Sequence, residues 1–246
     1  MRAVRFMLFM LLCFTMTCAW ADIAPRPGGK APRRDNASRS SFGNPQATVS
    51  MAAANVQVHI SSGGAQNEAS LIADVKSEFD MECSAAPQEG KDLDLVFPIY
   101  YTDEAAPKRH SFTVTVDGKP AADVKTSTWS VKDEKNKRRT QWGYAWRLFG
   151  LKGGQKRRIA VEYSLVLPQN EGKARFIYIL RSGASWDGPI GQEVVSVTAE
   201  NGLRMEILTP VALKPEQRTD TSLTWRITNA KPAEDIRLII VPEAKP

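Results

Sequence analysis

From Ala69 to Cys83 the chain alternates with a period of two. Ala69, Leu71, Ala73, Val75, Phe79, Met81 and Cys83 take the odd positions; Glu68, Asp74, Lys76, Glu78, Asp80 and Glu82 take the even ones. A helix would scatter these residues around its circumference, whereas an extended strand puts them on opposite faces. The pattern predicts a long antiparallel strand with one buried and one wetted side. Val56, Val58 and Ile60 alternate in the same way before the Ser61–Gly64 turn. Leu93, Leu95, Phe97 and Ile99 form a further run, and Pro98 inside it predicts an edge or a bulge. Phe112, Val114 and Val116 lead into Asp117-Gly118, a strong hairpin signal because both residues tolerate positive φ.

Downstream, Trp142, Tyr144, Trp146 and Leu148 give an aromatic strand, and Ile159–Leu167, Arg175–Leu180 and Glu193–Ala199 are β-branched or aromatic runs separated by Gly, Pro and Asn. The stretch between the last two, Arg181 to Gly191, reads as a loop. Leu203–Leu208, Ser222–Thr228 and Ile236–Val241 complete a set of about eleven strands at the spacing of an all-β fold. No helical period persists beyond two turns after the leader. The expected architecture is therefore an antiparallel β-sandwich over residues 51–243, with two packed halves dividing near Pro168 as the alternative arrangement.

The N-terminus changes the picture. Arg2 and Arg5 precede an apolar run from Phe6 to Cys18 and then Ala19-Trp20-Ala21, the pattern of a secretory signal over 1–21. That run is about 13 residues, too short for a helix crossing a ~30 Å hydrocarbon core. Cys18 lacks the surrounding residues of a lipidation site, so lipid anchoring there is not expected. The protein is read as periplasmic or secreted, with no integral span once the leader is removed. Residues 22–50 are rich in Pro, Gly, Ser and Arg and read as a disordered basic linker. Cys83 is the sole cysteine past the leader and falls on the apolar phase of its strand, as a core residue would.

There are 33 Lys and Arg against 27 Asp and Glu. Two of the cations lie in the leader and five more (Arg26, Lys30, Arg33, Arg34, Arg39) in the linker, leaving the folded part near neutral. A nucleic-acid partner, which would need a basic face on a folded domain, is not expected. His59 and His110 are the only histidines and have no ligand or triad partner at short spacing, so they read as exposed side chains. Gly150–Gly154 lacks the helix and spacing of a phosphate loop. No cofactor or metal is implied, and no pair of carboxylates stands out for hydrolysis.

Two constellations remain. Trp142 and Tyr144 share a strand face, and Trp186 with Asp187 sits in a Gly-bounded loop. Exposed, these rings and the carboxylate would suit a cell-surface glycan; buried, they would be core. Lys132, Lys135, Lys137, Arg138 and Arg139 form a basic run, read either as a solvated loop or as a cationic patch.

Leu95-Val-Phe-Pro-Ile99, Val116-Asp-Gly-Lys119, Val161-Glu-Tyr163, Tyr178 to Trp186 and Leu223-Thr-Trp-Arg-Ile-Thr-Asn229 together resemble secreted bacterial β-domains distantly similar to the vault/inter-alpha-trypsin N-terminal module. The resemblance implies a β-sandwich acting in protein interaction, with an envelope protein as partner and no catalytic residues.

Overall fold

The computed structural model describes residues 24–25, 49–63, 70–83, 93–101, 108–132, 138–148, 152–186, 188–210 and 212–243. Twelve strands of six or more residues run in the order β1 (Val49–Gly63), β2 (Ser70–Cys83), β3 (Leu93–Tyr101), β4 (Lys108–Val116), β5 (Lys125–Lys132), β6 (Arg138–Leu148), β7 (Lys156–Leu167), β8 (Lys173–Tyr178), β9 (Ile190–Ala199), β10 (Leu203–Thr209), β11 (Ser222–Ala230) and β12 (Ile236–Pro242). The one helical segment among the described residues is the 3₁₀ stretch Leu180–Ser185. The protein is all-β, without a closed barrel.

Six long strands form a large sheet in the order β11-β9-β1-β2-β7-β4, extended by short pairings of Gln217–Arg218 on β11 and Lys119–Pro120 on β4. Its ladders are antiparallel except for β1 and β9, which run parallel from Ala53/Gln192 to Ile60/Ala199. A second sheet is β3-β6-β5, with Ala24–Pro25 on the outer side of β3. A third is β8-β12-β10, with Gln169–Asn170 beside β8.

The alternation in β2 does what its period requires. Leu71, Ala73, Val75, Phe79, Met81 and Cys83 are buried, while Asp74, Lys76 and Glu78 face solvent. The buried face of the large sheet and the apolar sides of both smaller sheets merge into one cluster containing Val58, Phe79, Phe97, Trp146, Phe176, Trp225 and Leu238. Residues from both sides of Pro168 belong to it. Phe97 is one contact between the second sheet and the large one, with its ring 6.2 Å from Phe79 and 5.6 Å from Tyr163, both at edge angles. Such geometry sets the positive ring edge against a negative ring face.

Pro98 sits at a register shift against β6 that lies between Pro98 and Tyr100, with Gly143 directly opposite. The bulge removes a ladder hydrogen bond that proline could not make. Asp117 (φ 52°) and Gly118 (φ 76°) form the turn after β4. The sequence reading differs from the structure at the N-terminal side. The fold starts at Val49, and Ala24 and Pro25, inside the stretch read as a linker, pair with Val96 and Leu95. β5 had no counterpart in the hydrophobic pattern.

Candidate functional site

The outer face of the large sheet is a flat, wetted surface. One row across it runs Thr224, Ser196, Gln57, Lys76, Glu162, Thr113; the next runs Ser222, Thr198, His59, Asp74, Ser164, Ser111. Opposite charges face each other at Lys76/Glu162 and at Asp80/Arg158, where Nε lies 2.8 Å from Oδ1. At this exposure solvent screening and side-chain entropy leave such pairs little net effect on stability. His59 is exposed, with Nδ1 3.3 Å from Thr198 Oγ1. Ser164 donates to Asp74, so the row holds two surface hydrogen-bonded pairs, His59 with Thr198 and Ser164 with Asp74. His110 lies in β4, but its side chain is outside the described residues.

A different constellation links the two smaller sheets. Asp235 precedes β12, Arg181 lies in the 3₁₀ stretch after β8, and Tyr101 ends β3. The Tyr101 hydroxyl donates to Asp235 Oδ2 at 3.1 Å. Arg181 donates through Nε to Oδ1 at 3.2 Å, through Nη2 to Oδ2 at 3.1 Å and through its backbone N–H to Oδ1 at 3.3 Å, and also reaches the Tyr101 oxygen at 2.9 Å. The side chains of Arg181 and Asp235 are 5% and 1% exposed. Arg237 Nη2 stands 3.6 Å from Asp235 Oδ2, and the Arg139 guanidinium lies 4.0 Å over the Tyr101 ring. Beside them Trp129 of β5 donates from Nε1 to Gln141 Oε1 at 2.9 Å. Burying this ion pair is tolerable because several hydrogen bonds converge on the carboxylate. The strand pattern gave no sign of it, because the partners come from distant positions; Arg181 was visible only as a loop residue.

Burial first, and then the Asp235 carboxylate, push the Tyr101 phenol well above its ordinary 10.0, with Arg181 and Gln141 partly offsetting them. Burial opposes the Arg181 cation, but Asp235 and Tyr101 together hold its pKa above the ordinary value. Tyr101 thus binds its proton more tightly folded than unfolded. Its stabilising contribution is complete below about pH 10 and falls as pH rises further, by at most ~1.4 kcal/mol per pH unit. Urea midpoints of the Tyr101→Phe variant should lack the part of the alkaline decline that the parent shows above pH 10. Equal declines in the two proteins would refute this assignment.

The aromatic candidates lie differently from a sugar platform. Trp186 is 3% exposed and Tyr144 is 4% exposed, the latter stacked on Phe112 at 3.5 Å. Trp142 is half-buried and stacks on Tyr100 at 5.3 Å, with planes 25° apart. The structure therefore does not gather Trp186, Tyr144 and Trp142 on one open face. The loop holding Trp186 folds inward as a 3₁₀ turn, whose Ile179, Leu180 and Ser182 are buried. Asp187 lies outside the described residues.

Of the basic run, Lys132 ends β5 and Arg138 begins β6, paired in register; Arg138 is exposed and Arg139 is drawn over Tyr101. Lys135 and Lys137 lie outside the described residues. At the other end of β5, Asp94, Asp123, Lys125 and Arg147 line a cleft of about 420 Å³, with Arg147 Nε 2.8 Å from Asp94 Oδ1.

β5 itself is the least enclosed strand. Lys125, Thr126, Thr128 and Ser130 are exposed, and Ser127 and Trp129 are half-buried. Its inner side pairs with β6 from Lys125/Ala145 to Lys132/Arg138. Its outer side pairs with no segment among the described residues. The other edges carry short flanking contacts that cover two residues or fewer of each strand. Ala24–Pro25, Gln169–Asn170, Lys119–Pro120 and Gln217–Arg218 flank β3, β8, β4 and β11, and the Met205 N–H of β10 donates to Asp220 O at 3.0 Å.

Fold and site together define a three-sheet, all-β scaffold in which, among the described residues, β5 has no partner on its outer side. Neither a family model nor a curated protein matches the chain. Among solved structures, a "putative nutrient binding protein" from Legionella pneumophila is similar at 16% identity and a TM-score of 0.57, covering 80% of this chain and 68% of that one. This likeness shows a shared fold. An M1 zinc metallopeptidase from Deinococcus radiodurans (12% identity, TM-score 0.34) and an aminopeptidase N family protein from Idiomarina loihiensis (7%, 0.37) are similar more weakly. The chain spans only 42% and 29% of their lengths. At those scores the likeness carries no statement about activity.

Proposed function

We propose that the protein is an exported binding module of the bacterial cell envelope, acting through contact rather than by making or breaking bonds, and that β5 is its contact site. The carrying observation is the unequal treatment of the sheet edges: among the described residues β5 has no partner on its outer side, whereas β3, β8, β4 and β11 carry two-residue flanking segments and β10 a backbone hydrogen bond. An open row of backbone donors and acceptors is a template for another chain, and proteins normally cover it. Export is supported by the charged-then-apolar N-terminus ending in Ala19-Trp20-Ala21. The resemblance to vault-type interaction modules points the same way. A nutrient-binding description of the Legionella neighbour is compatible with a binding role and does not choose a ligand. A glycan is the less supported occupant, because Trp186 and Tyr144 are turned into the protein.

A photo-crosslinking residue placed at Ser130, which is exposed on β5, should yield an adduct with an envelope protein in living cells. The same residue at Gln57, on the outer face of the large sheet, should not. The proposal fails if no β5 position gives an adduct, or if the purified chain turns over an envelope polymer.

A further inference from the structure

The open edge also specifies what it accepts. We propose that β5 docks an extended, acidic segment of a partner protein, which adds to the second sheet as its next strand; this rests on the binding reading above. In an antiparallel ladder every second residue directs both its N–H and its C=O away from the paired neighbour. Half of the eight residues of β5 are therefore available to a new strand. The stretch Thr126–Val131 is uncharged, contains no proline or glycine and shows no register shift against β6. It is long enough for strand addition, in which the backbone gives affinity and alternate side chains give specificity.

Charge decides the occupant. Lys125 and Lys132 stand at the two ends of the strand, and Arg138 is paired with Lys132. Lysines on an edge commonly serve to block pairing. Here they leave the middle of the strand clear, so they select the charge of the partner rather than exclude every partner. A second copy of this chain is disfavoured. Antiparallel self-pairing would place Lys125 opposite Lys132 of the other copy at both ends, and parallel in-register pairing would place each lysine against itself. Like charges directly opposite destabilise a ladder. A strand with carboxylates at its ends meets these cations favourably. The Lys125 end also has Asp94 and Asp123 nearby, so the stronger acidic preference belongs at the Lys132/Arg138 end.

Hydrogen-exchange mass spectrometry on the full chain tests this with two peptides of alternating Thr and Val, one with Glu at both ends and one with Lys. At about ten times its Kd the acidic peptide should slow exchange in residues 125–132 about tenfold, and the basic one should leave it unchanged. Ser127→Pro and Thr128→Pro are adjacent, so one of them removes an outward N–H; that variant should lose the protection while keeping its near-UV circular dichroism. Should both prolines disturb the fold, Lys132→Glu with Arg138→Glu, at the paired ends of β5 and β6, should reverse the preference between the peptides. Absence of protection with either peptide, or preference for the basic one, overturns the proposal. If the Ser130 crosslink to an envelope protein persists in that case, the binding reading stands and only the acidic-strand occupant is lost; if it too is absent, both fall.

Discussion

Asp235→Ala should lower the free energy of unfolding by about 3–5 kcal/mol, the range for removing one partner of a buried ion pair. The substitution leaves the Arg181 side chain, 5% exposed, without the carboxylate that accepts two hydrogen bonds from its guanidinium and one from its backbone N–H. It also takes the acceptor from the Tyr101 hydroxyl. The hydrogen bond from Thr209 Oγ1 to the Asp235 carbonyl is made by the backbone and should survive, so the loss isolates the side chain. Asp235→Asn keeps an acceptor but not the charge, and should cost less. Replacing both members, Asp235→Ala with Arg181→Met, should recover part of the loss, because an apolar substitute for a buried pair is often near neutral. Equilibrium urea unfolding at pH 7 measures all three. A loss below about 1 kcal/mol for Asp235→Ala would mean that the cluster does not hold the two smaller sheets together.

Gly143→Ala should be nearly as damaging, although it adds only one methyl group. A Cβ at this position would lie 2.0 Å from the Phe97 carbonyl oxygen and 2.8 Å from the Pro98 Cα. Both are backbone atoms of β3, so no side chain can rotate away. β3 must instead move off β6 at the bulge, where Pro98 already interrupts the ladder. Overpacking against fixed atoms costs about 1–3 kcal/mol or more, and the upper end is expected here. For a fold of this size that lowers the thermal midpoint by roughly 6–12 °C. Gly118→Ala is the useful contrast. Nothing lies within 4 Å of its Cβ, and only the positive φ of 76° resists the change. Its cost should be near ~1 kcal/mol. If calorimetry ranks Gly118→Ala as the more harmful of the two, close approach of β3 and β6 is not what fixes Gly143.

These residues show where the sequence was legible. The alternation of β2, the Asp117-Gly118 turn and the interruption at Pro98 are local signals, each read from a few neighbours in the chain, and each appears in the structure as a strand, a turn and a bulge. β5 was illegible for a physical reason. Lys-Thr-Ser-Thr-Trp-Ser-Val-Lys has no apolar alternation, because a strand at an open edge buries neither face fully. The same absence of pattern that hid the strand marks it as the exposed edge. For Trp186 the sequence left exposed and buried placements open, because its Gly and Ser neighbours carry no strand period; the structure buries it at 3% exposure together with Ile179 and Leu180.

By itself the sequence determined an all-β chain, since strand period, turn residues and hydrophobic runs are properties of near neighbours. Only tertiary structure decided that β1 and β9 lie side by side in parallel, that Tyr101, Arg181 and Asp235 meet although Tyr101 and Asp235 are 134 positions apart, and that β5 has no outer partner among the described residues. Those outcomes depend on which strands become neighbours. That choice is made by burying one shared core, and no short stretch of the chain encodes it alone.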